Sequence, residues 1–309
     1  MGKILLYYKY TDIQYPKRIL KWQKQICKDL SLTGRILIGK EGINGTVGGE
    51  DKAIERYMNT MRKNEQFADI DFKLSDGDAS YFPRMAIKVR EEICALGVDS
   101  EKLTVKDGGV HLEPEQVHEL LSNKPDDLII LDTRNNFESR IGTFTGSITP
   151  DITNFRDLPK FIDENPELFK DKQVLMHCTG GVRCERATGY LKTQGIAKEV
   201  FQIKGGIVRY TEAFPEGHFR GKNYVFDRRV AVRINDDILS GCDVCDTPCD
   251  EYTNCVNMKC NAHYISCKPC IEKTKNTCSA ECMALIEQQK VPVRVPFQTA
   301  PEQRVVVKK

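Results

Sequence analysis

Nine of the thirteen cysteines in this 309-residue chain fall between residues 242 and 282. A segment so short, with so few large apolar side chains, cannot close a core by burial alone and needs a staple. The start of the chain, "MGKILLYYKYTD", has a short tyrosine-rich apolar stretch and no small-residue cleavage site, so it reads as a first strand and not as a secretion signal. No apolar run approaches the roughly 18 residues a membrane span needs. The expected compartment is therefore the cytoplasm, where clustered cysteines bind metal more often than they form disulfides. Cys242-x2-Cys245 and Cys267-x2-Cys270 are two knuckles 21 residues apart, close to zinc-ribbon spacing. Each pair can set two thiolates on one zinc ion with near-tetrahedral angles. Cys249, Cys255, Cys260, Cys278 and Cys282 remain, with His263 as a spare nitrogen ligand. Four of these make a second site, giving two structural zinc ions; the spacing leaves open which four, and whether the ligand pairs interleave. A redox-sensing thiol cluster or a pool of free cysteines is the non-metal alternative.

Ahead of that segment the hydrophobic pattern changes once. Residues 4–10 read as a strand, 16–31 as a helix opened by Pro16, 34–48 as two strands around a Gly-rich turn, 51–64 as a helix, and 70–74 and 85–90 as strands. The order β-α-β-β-α-β is that of a ferredoxin-like α+β domain over 1–95. Residues 96–112, with Gly97, Gly108 and Gly109, read as a linker. From 113 to 222 short apolar strands such as "DDLIILDTR" and "KQVLMHC" alternate with helices such as "CERATGYLKTQG". That alternation implies a parallel sheet covered on both faces. The cysteine-rich unit covers 223–286, and the tail 287–309, with three prolines and no helical period, reads as mobile.

The stretch "HCTGGVRCER" at 177–186 carries the chemistry. The strand before it delivers Cys178 to the carboxyl end of the parallel sheet, where open α/β sheets bind ligands. Thr179, Gly180, Gly181 and Val182 are small enough for their N–H groups to curl inward, and Arg183 and the next helix add positive potential. These features lower a thiol pKa and favour an anion at the sulfur. A cysteine that merely ends a buried strand needs no such nest. A cysteine phosphatase loop, H-C-x5-R, requires arginine at 184, where this chain has Cys184. The ring from Cys178 to Arg183 resembles instead the C-x-x-G-x-R loop of rhodanese-type sulfurtransferases, and Asp132-Thr133-Arg134 resembles the D-x-R stretch of that fold, with a structural role. The expected whole is thus an α/β multidomain chain: ferredoxin-like, rhodanese-like, then cysteine-rich and zinc-binding. Cys184 reads either as a half-buried small side chain under the loop or as a second thiol that resolves a persulfide, sulfenate or disulfide at Cys178.

Three stretches together, "GKEGINGTV" at 39–47, "HCTGGVRCERA" at 177–187 and "GKNYVFDRRV" at 221–230, followed by the nine cysteines, resemble the bacterial rhodanese-domain-containing family of oxygen-dependent tRNA uridine hydroxylases. The resemblance runs over nearly the whole chain in the family's domain order. It implies insertion of one oxygen at C5 of the wobble uridine to give 5-hydroxyuridine, with molecular oxygen as co-substrate and the tRNA anticodon loop as partner. Cys178 carries over as the expected nucleophile and Cys184 as the family's second cysteine, with either one open as the essential sulfur.

The formal net charge is only +2, so nucleic acid is not announced by global basicity and must be met by local patches. Candidate tRNA contacts are Lys40, Arg228, Arg229 and Arg233, with Lys17, Arg18, Lys21 and Lys24 on the first helix. Tyr7, Tyr8 and Phe226 can stack on bases, although core packing is the default for them. There is no dinucleotide fingerprint, no flavin motif and no two-His-one-carboxylate pattern. Two other readings remain: a sulfurtransferase carrying a persulfide on Cys178, and a non-catalytic zinc-dependent RNA or protein adaptor.

Overall fold

In the computed structural model, which describes residues 2–99, 103–296 and 299–304, the first strand packs on both of its faces. Side chains alternate along a strand. On β1 (Gly2–Tyr10), Leu5 and Tyr7 are wholly buried in the first core, while Leu6, Tyr8 and Tyr10 point the other way and are half-buried against the central unit. Helix α1 (Pro16–Asp29) starts with proline at a position whose amide would be unpaired anyway. It lays Ile19, Leu20 and Cys27 against the sheet. β2 (Thr33–Gly39), β3 (Gly42–Glu50), α2 (Asp51–Arg62), β4 (Asp71–Asp76) and β5 (Met85–Val89) complete the unit. The sheet order is β4-β1-β3-β2-β5, so the expected β-α-β-β-α-β order is present with β5 added parallel to β2 at one edge. Gly45 on β3 lies opposite Tyr7, and a Cβ there would stand 2.3 Å from the tyrosine ring. That space lets the Tyr7 hydroxyl meet the hydroxyl of Tyr57, which donates to Gln23 in the core.

The stretch expected as a linker is part of the second unit. Leu96 and Leu103 are buried in its core, and β6 (Val110–Leu112) pairs with a strand of its sheet. A three-residue edge strand is too short to show a period, which is why it read as loop. After β6 come α3 (Pro114–Asn123), β7 (Leu128–Asp132), α4 (Asn136–Ser139), β8 (Gly142–Phe144), α5 (Leu158–Glu164), α6 (Pro166–Phe169), β9 (Gln173–His177), α7 (Cys184–Gln194), β10 (Glu199–Ile203) and α8 (Gly206–Ala213). The parallel sheet runs β6-β10-β9-β7, with one apolar core on each face.

Strand β11 (Phe219–Tyr224) crosses the expected boundary at 222. It pairs with β8 on one side and β12 (Ala231–Arg233) on the other, so the second and third units share a sheet. β13 (Tyr252–Asn254), β14 (His263–Ile265), α9 (Lys268–Lys273) and α10 (Ala280–Glu287) follow. The tail packs where it is described: β15 (Gln303–Arg304) pairs parallel to β12, and Glu302 meets Lys222 at 3.0 Å and Arg233 at 2.9 Å. Its prolines exclude a helix but not an extended strand, and the two buried cations give its carboxylate a partner. Residues 305–309 of that tail lie outside the described residues.

Candidate active site and thiolate clusters

β9 is an interior strand of the parallel sheet and ends at His177, which places Cys178 at the sheet's carboxyl edge. The chain then turns through Gly181, whose φ of +103° disfavours any other residue. This turn brings the Gly181 N–H to 3.2 Å from the Cys178 sulfur. The first turn of α8 holds the loop from behind, Ile207 N–H donating to the Cys178 carbonyl at 2.9 Å and Val208 N–H to that of Thr179 at 3.1 Å. A Cβ at Gly206 would come within 2.6 Å of the Cys178 carbonyl oxygen, so glycine lets the helix approach this closely.

Cys178 is fully buried, which by itself would push its thiol up. The Cys184 thiol, the Arg183 guanidinium and the N–H groups of residues 183 and 184 outweigh burial and bring it down to about 6. Cys184, also buried, is pushed well above the ordinary thiol range, first by burial and then by the neighbouring Cys178. The loop therefore holds one thiolate and one thiol. Arg183 is fixed by Glu138 on α4, donating to both carboxylate oxygens at 2.6 and 2.8 Å, and to the Thr179 hydroxyl at 3.2 Å. Beneath the loop, Arg134 donates to both oxygens of Asp132 at 2.9 and 2.6 Å, and both residues are fully buried. Thr133 donates to the His177 carbonyl at 3.0 Å and lies 3.7 Å from the Cys184 sulfur. Burial brings His177 down to about 4, so its ring is neutral at physiological pH.

The roof over this loop comes from the first unit. Leu6 lies against Gly180 and Tyr8 against Gly181, where a Cβ would come within 3.0 and 2.7 Å of their side chains. The Tyr8 hydroxyl donates to Glu185 at 2.8 Å, and the Tyr10 hydroxyl to the Val182 carbonyl at 3.3 Å. Lys73, opposite Leu6 in the β1–β4 ladder, is buried beside the Tyr8 ring with its ammonium 2.7 Å from Asp71. Arg186 clamps the seam, donating to Glu92 at 2.7 Å, Glu41 at 3.2 Å and the Val98 carbonyl at 2.5 Å. Sequence reasoning missed Leu6, Tyr10, Lys73, Glu138 and Glu185 as parts of the site. The unbroken apolar run "ILLYY" was the available signal, because a strand with one solvated face alternates.

The RNA-contact candidates separate into two groups. Lys40 and Arg228 are exposed. Arg229 and Arg233 are buried and committed, and this corrects the expectation that they face RNA. Arg229 pairs with Asp227 and donates to the Ser75 hydroxyl at 2.8 Å; Arg233 pairs with Asp250 at 3.0 Å and with Glu302. Arg229 is a strut between the third unit and the first, whereas Arg233 ties the third unit to the tail. Tyr7 is core, whereas Phe226 is 65% exposed.

In the third unit the thiols gather in two groups: Cys242, Cys245, Cys267 and Cys270, and Cys255, Cys260, Cys278 and Cys282. Within each group the sulfurs lie within 4.8 Å of one another, so each set can close a tetrahedron on one metal ion. The Cys267 N–H points at the Cys242 sulfur at 3.4 Å and the Asn257 amide at the Cys282 sulfur at 3.4 Å, contacts suited to thiolates. Cys249 belongs to neither group and packs in a small apolar cluster. His263 is not a ligand: it bonds Asn254 at 3.0 Å and stacks on Tyr252 at 4.3 Å. The two groups alternate along the chain in pairs, so the ligand sets interleave.

A parallel sheet that ends in a C-x-x-G-x-R loop with an ionised cysteine defines a rhodanese-like protein, here with a second thiol in the loop and two tetrathiol groups. Residues 2–93 match the UPF0176 acylphosphatase like domain, 113–213 the Rhodanese-like domain and 220–283 the Rhodanase C-terminal. A protein of Corynebacterium diphtheriae named tRNA uridine(34) hydroxylase is 40% identical over 297 residues, 91% of this chain and 95% of that one. Proteins of the same name from Listeria welshimeri (41% over 285 residues, 91% and 88%) and Pseudarthrobacter chlorophenolicus (40% over 297 residues, 92% and 99%) align equally broadly. The chain belongs to the tRNA uridine(34) hydroxylase family. Among solved structures, the rhodanese-like domain of an Anabaena protein aligns with 36% of this chain and 78% of its own at 19% identity and a TM-score of 0.31. Among the described residues no helix is long and apolar enough to cross a membrane.

Proposed function

We propose that this protein is an oxygen-dependent oxidoreductase that hydroxylates C5 of the anticodon wobble uridine of tRNA, giving 5-hydroxyuridine. The observation that carries the reading is the two-thiol loop, in which the Gly181 N–H meets the Cys178 sulfur at 3.2 Å and Cys184 opens the next helix, in a chain that aligns over more than nine-tenths of its length with relatives bearing that name. Cys178 is the nucleophile and Cys184 its partner thiol, while Arg183 and the loop N–H groups hold negative charge at the reacting sulfur. The wobble base sits in an unpaired loop, so it can enter a pocket without the cost of breaking a pair. Lys40 and Arg228 contact RNA phosphates. Zinc is the ion for both tetrathiol groups. Four thiolates leave no open position for substrate, so these ions hold the third unit together and the reaction runs at the loop, in the cytoplasm where tRNA is. Molecular oxygen is the co-substrate: one of its atoms goes to C5 and the other leaves as water, with two electrons and two protons supplied by an external two-electron reductant.

A second reading is a sulfurtransferase that carries a persulfide on Cys178, favoured by the C-x-x-G-x-R ring around that sulfur. Nucleoside mass spectrometry on tRNA from deletion cells complemented with wild type, Cys178→Ser or Cys184→Ser separates the two. Loss of 5-hydroxyuridine in the deletion, restored by wild type and not by Cys178→Ser, supports the hydroxylase. Unchanged 5-hydroxyuridine in cells lacking any parallel route, with strong Cys178-dependent thiosulfate-to-cyanide turnover, supports the carrier instead.

A further inference from the structure

The hairpin between β11 and β12 presents Phe226 and Arg228 outward from a junction of all three units. Its tip is tightly held: Val225 N–H donates to the Val230 carbonyl at 2.8 Å, and Val230 N–H to that of Asp227 at 3.0 Å. Between the two outward residues, Asp227 turns inward and accepts from the Arg229 side chain at 2.8 Å. Arg229 in turn donates to Ser75 of the first unit, and the Arg228 N–H donates to the Tyr81 carbonyl at 3.1 Å. Val230 has φ +63°, a conformation that β-branched residues adopt only where the surroundings impose it.

What this scaffold displays is an aromatic ring and a cation. Phe226 is 65% exposed, and its ring is backed edge-on by Tyr224 at 5.2 Å and Phe137 at 6.5 Å. Phe137 and Tyr224 themselves meet at 5.1 Å, and His263 supports Tyr224 at 5.9 Å. Arg228 is exposed, with no ion-pair partner among the described residues. The neighbouring arginines 229 and 233 are both neutralised by carboxylates, so among the described residues Arg228 is the unpaired cation of this hairpin. Phe137 directly precedes Glu138, which holds Arg183 of the Cys178 loop. Burial, and after it the nearby Glu138 carboxylate, pushes up the phenol of Tyr224, the ring behind Phe226, which links the displayed ring to the ion pair of the Cys178 loop.

We propose that Phe226 is a stacking platform for an unpaired base next to the one being modified, and that Arg228 binds a phosphate of the same loop. This rests on the reading of the protein as a tRNA hydroxylase and names where its substrate is held. An exposed aromatic with a free arginine two residues away is what single-stranded RNA requires, because every base offers a π-face and every nucleotide a charge. The locked tip means that little conformational entropy is lost when the RNA binds.

The test uses the full-length protein and a synthetic anticodon stem-loop with uridine at the wobble position, titrated at several salt concentrations. Phe226→Ala should weaken binding by about ten-fold, the range of base–aromatic stacking, without changing the slope of log affinity against log salt. Phe226→Trp should keep wild-type affinity. Arg228→Gln should lower the salt slope by about 0.7, the value for one phosphate on a single strand. Wild-type affinity for Phe226→Ala overturns the proposal, as does an equal loss in Phe226→Ala and Phe226→Trp, which marks a structural role. A change in sedimentation on Phe226→Ala with RNA affinity intact also overturns it, by making the ring a contact between copies of the chain. If the wild type binds the stem-loop through Phe226 while 5-hydroxyuridine persists in cells that lack the protein and any parallel route, the hydroxylase reading falls and Phe226 stands as an RNA contact alone.

Discussion

Tyr8 donates its hydroxyl proton to Glu185 at 2.8 Å, and this bond joins the sheet of the first unit to the helix that begins with Cys184. It helps to close a roof over a sulfur with no exposed surface. The Cys178 thiolate is thus chemically ready yet out of the reach of reagents. A hydrogen bond to a charged group contributes about 1.5–3 kcal/mol, so breaking it should open the seam about ten- to a hundred-fold more often. Alkylation of Cys178 by iodoacetamide, followed by peptide mass spectrometry, is expected to be slow in the wild type, faster in Tyr8→Phe and fastest in Tyr8→Ala. Equal rates in all three would place the seal elsewhere.

The Cys178 thiolate links stability to pH in a defined direction. Its folded pKa of about 6 lies below the ordinary thiol value of about 8.5. Between those values the unfolded chain binds the proton and the folded one does not, so stability gained from this group rises with pH. The contribution is complete above the unfolded value and is lost as pH falls through about 6. Urea unfolding of wild type and Cys178→Ala across this range should show a difference that widens as pH rises. A constant difference would mean that the thiol is not ionised in the fold.

Glu138 is fully buried and serves Arg183 with both oxygens. Glu138→Gln strands a buried guanidinium, and truncating one partner of such a pair costs about 3–5 kcal/mol. Thermal unfolding should register that loss. The double change Glu138→Gln with Arg183→Met should recover part of the stability, because no uncompensated charge remains, while activity stays lost. Additive losses would show that the two side chains act independently.

The thiol grouping predicts metal content residue by residue. Purified protein should carry two zinc ions per chain, Cys249→Ser should keep both, and Cys255→Ser should lose at least one. Because the sets interleave, loss of one ion should also weaken the other, seen as a lower chelator concentration for its release. Elemental analysis of the three proteins decides the matter, and zinc loss in Cys249→Ser would contradict the grouping.

Much of this layout is written locally in the sequence. The Cys178 loop was legible because its requirements are local: a strand end, glycines and an arginine at fixed spacing. The first tetrathiol group was legible for the same reason, as two CxxC knuckles. The second set was not, because Cys249 is as close in sequence to the knuckle at Cys245 as a ligand would be, and only the packing excludes it. The seam could not be read from spacing, since Tyr8 and Glu185 are 177 residues apart and no local pattern connects them. Arg229, in a turn, and Arg233, on a strand, misled because an arginine reads the same in sequence whether it faces phosphate or a buried carboxylate. Glu302, the partner of Arg233, lies in a tail whose prolines hide its pairing.

The alternation of the two thiol sets bears on how the chain is made. Synthesis proceeds from the amino end, so Cys242, Cys245, Cys255 and Cys260 emerge together, before any of the other four ligands exists. A thiophilic ion that meets the nascent chain at that moment finds four sulfurs from two different final sites. For an ion held in that way, the final grouping requires ligand exchange once Cys267 and Cys270 arrive, and the second set of four is complete only when Cys282 has left the ribosome.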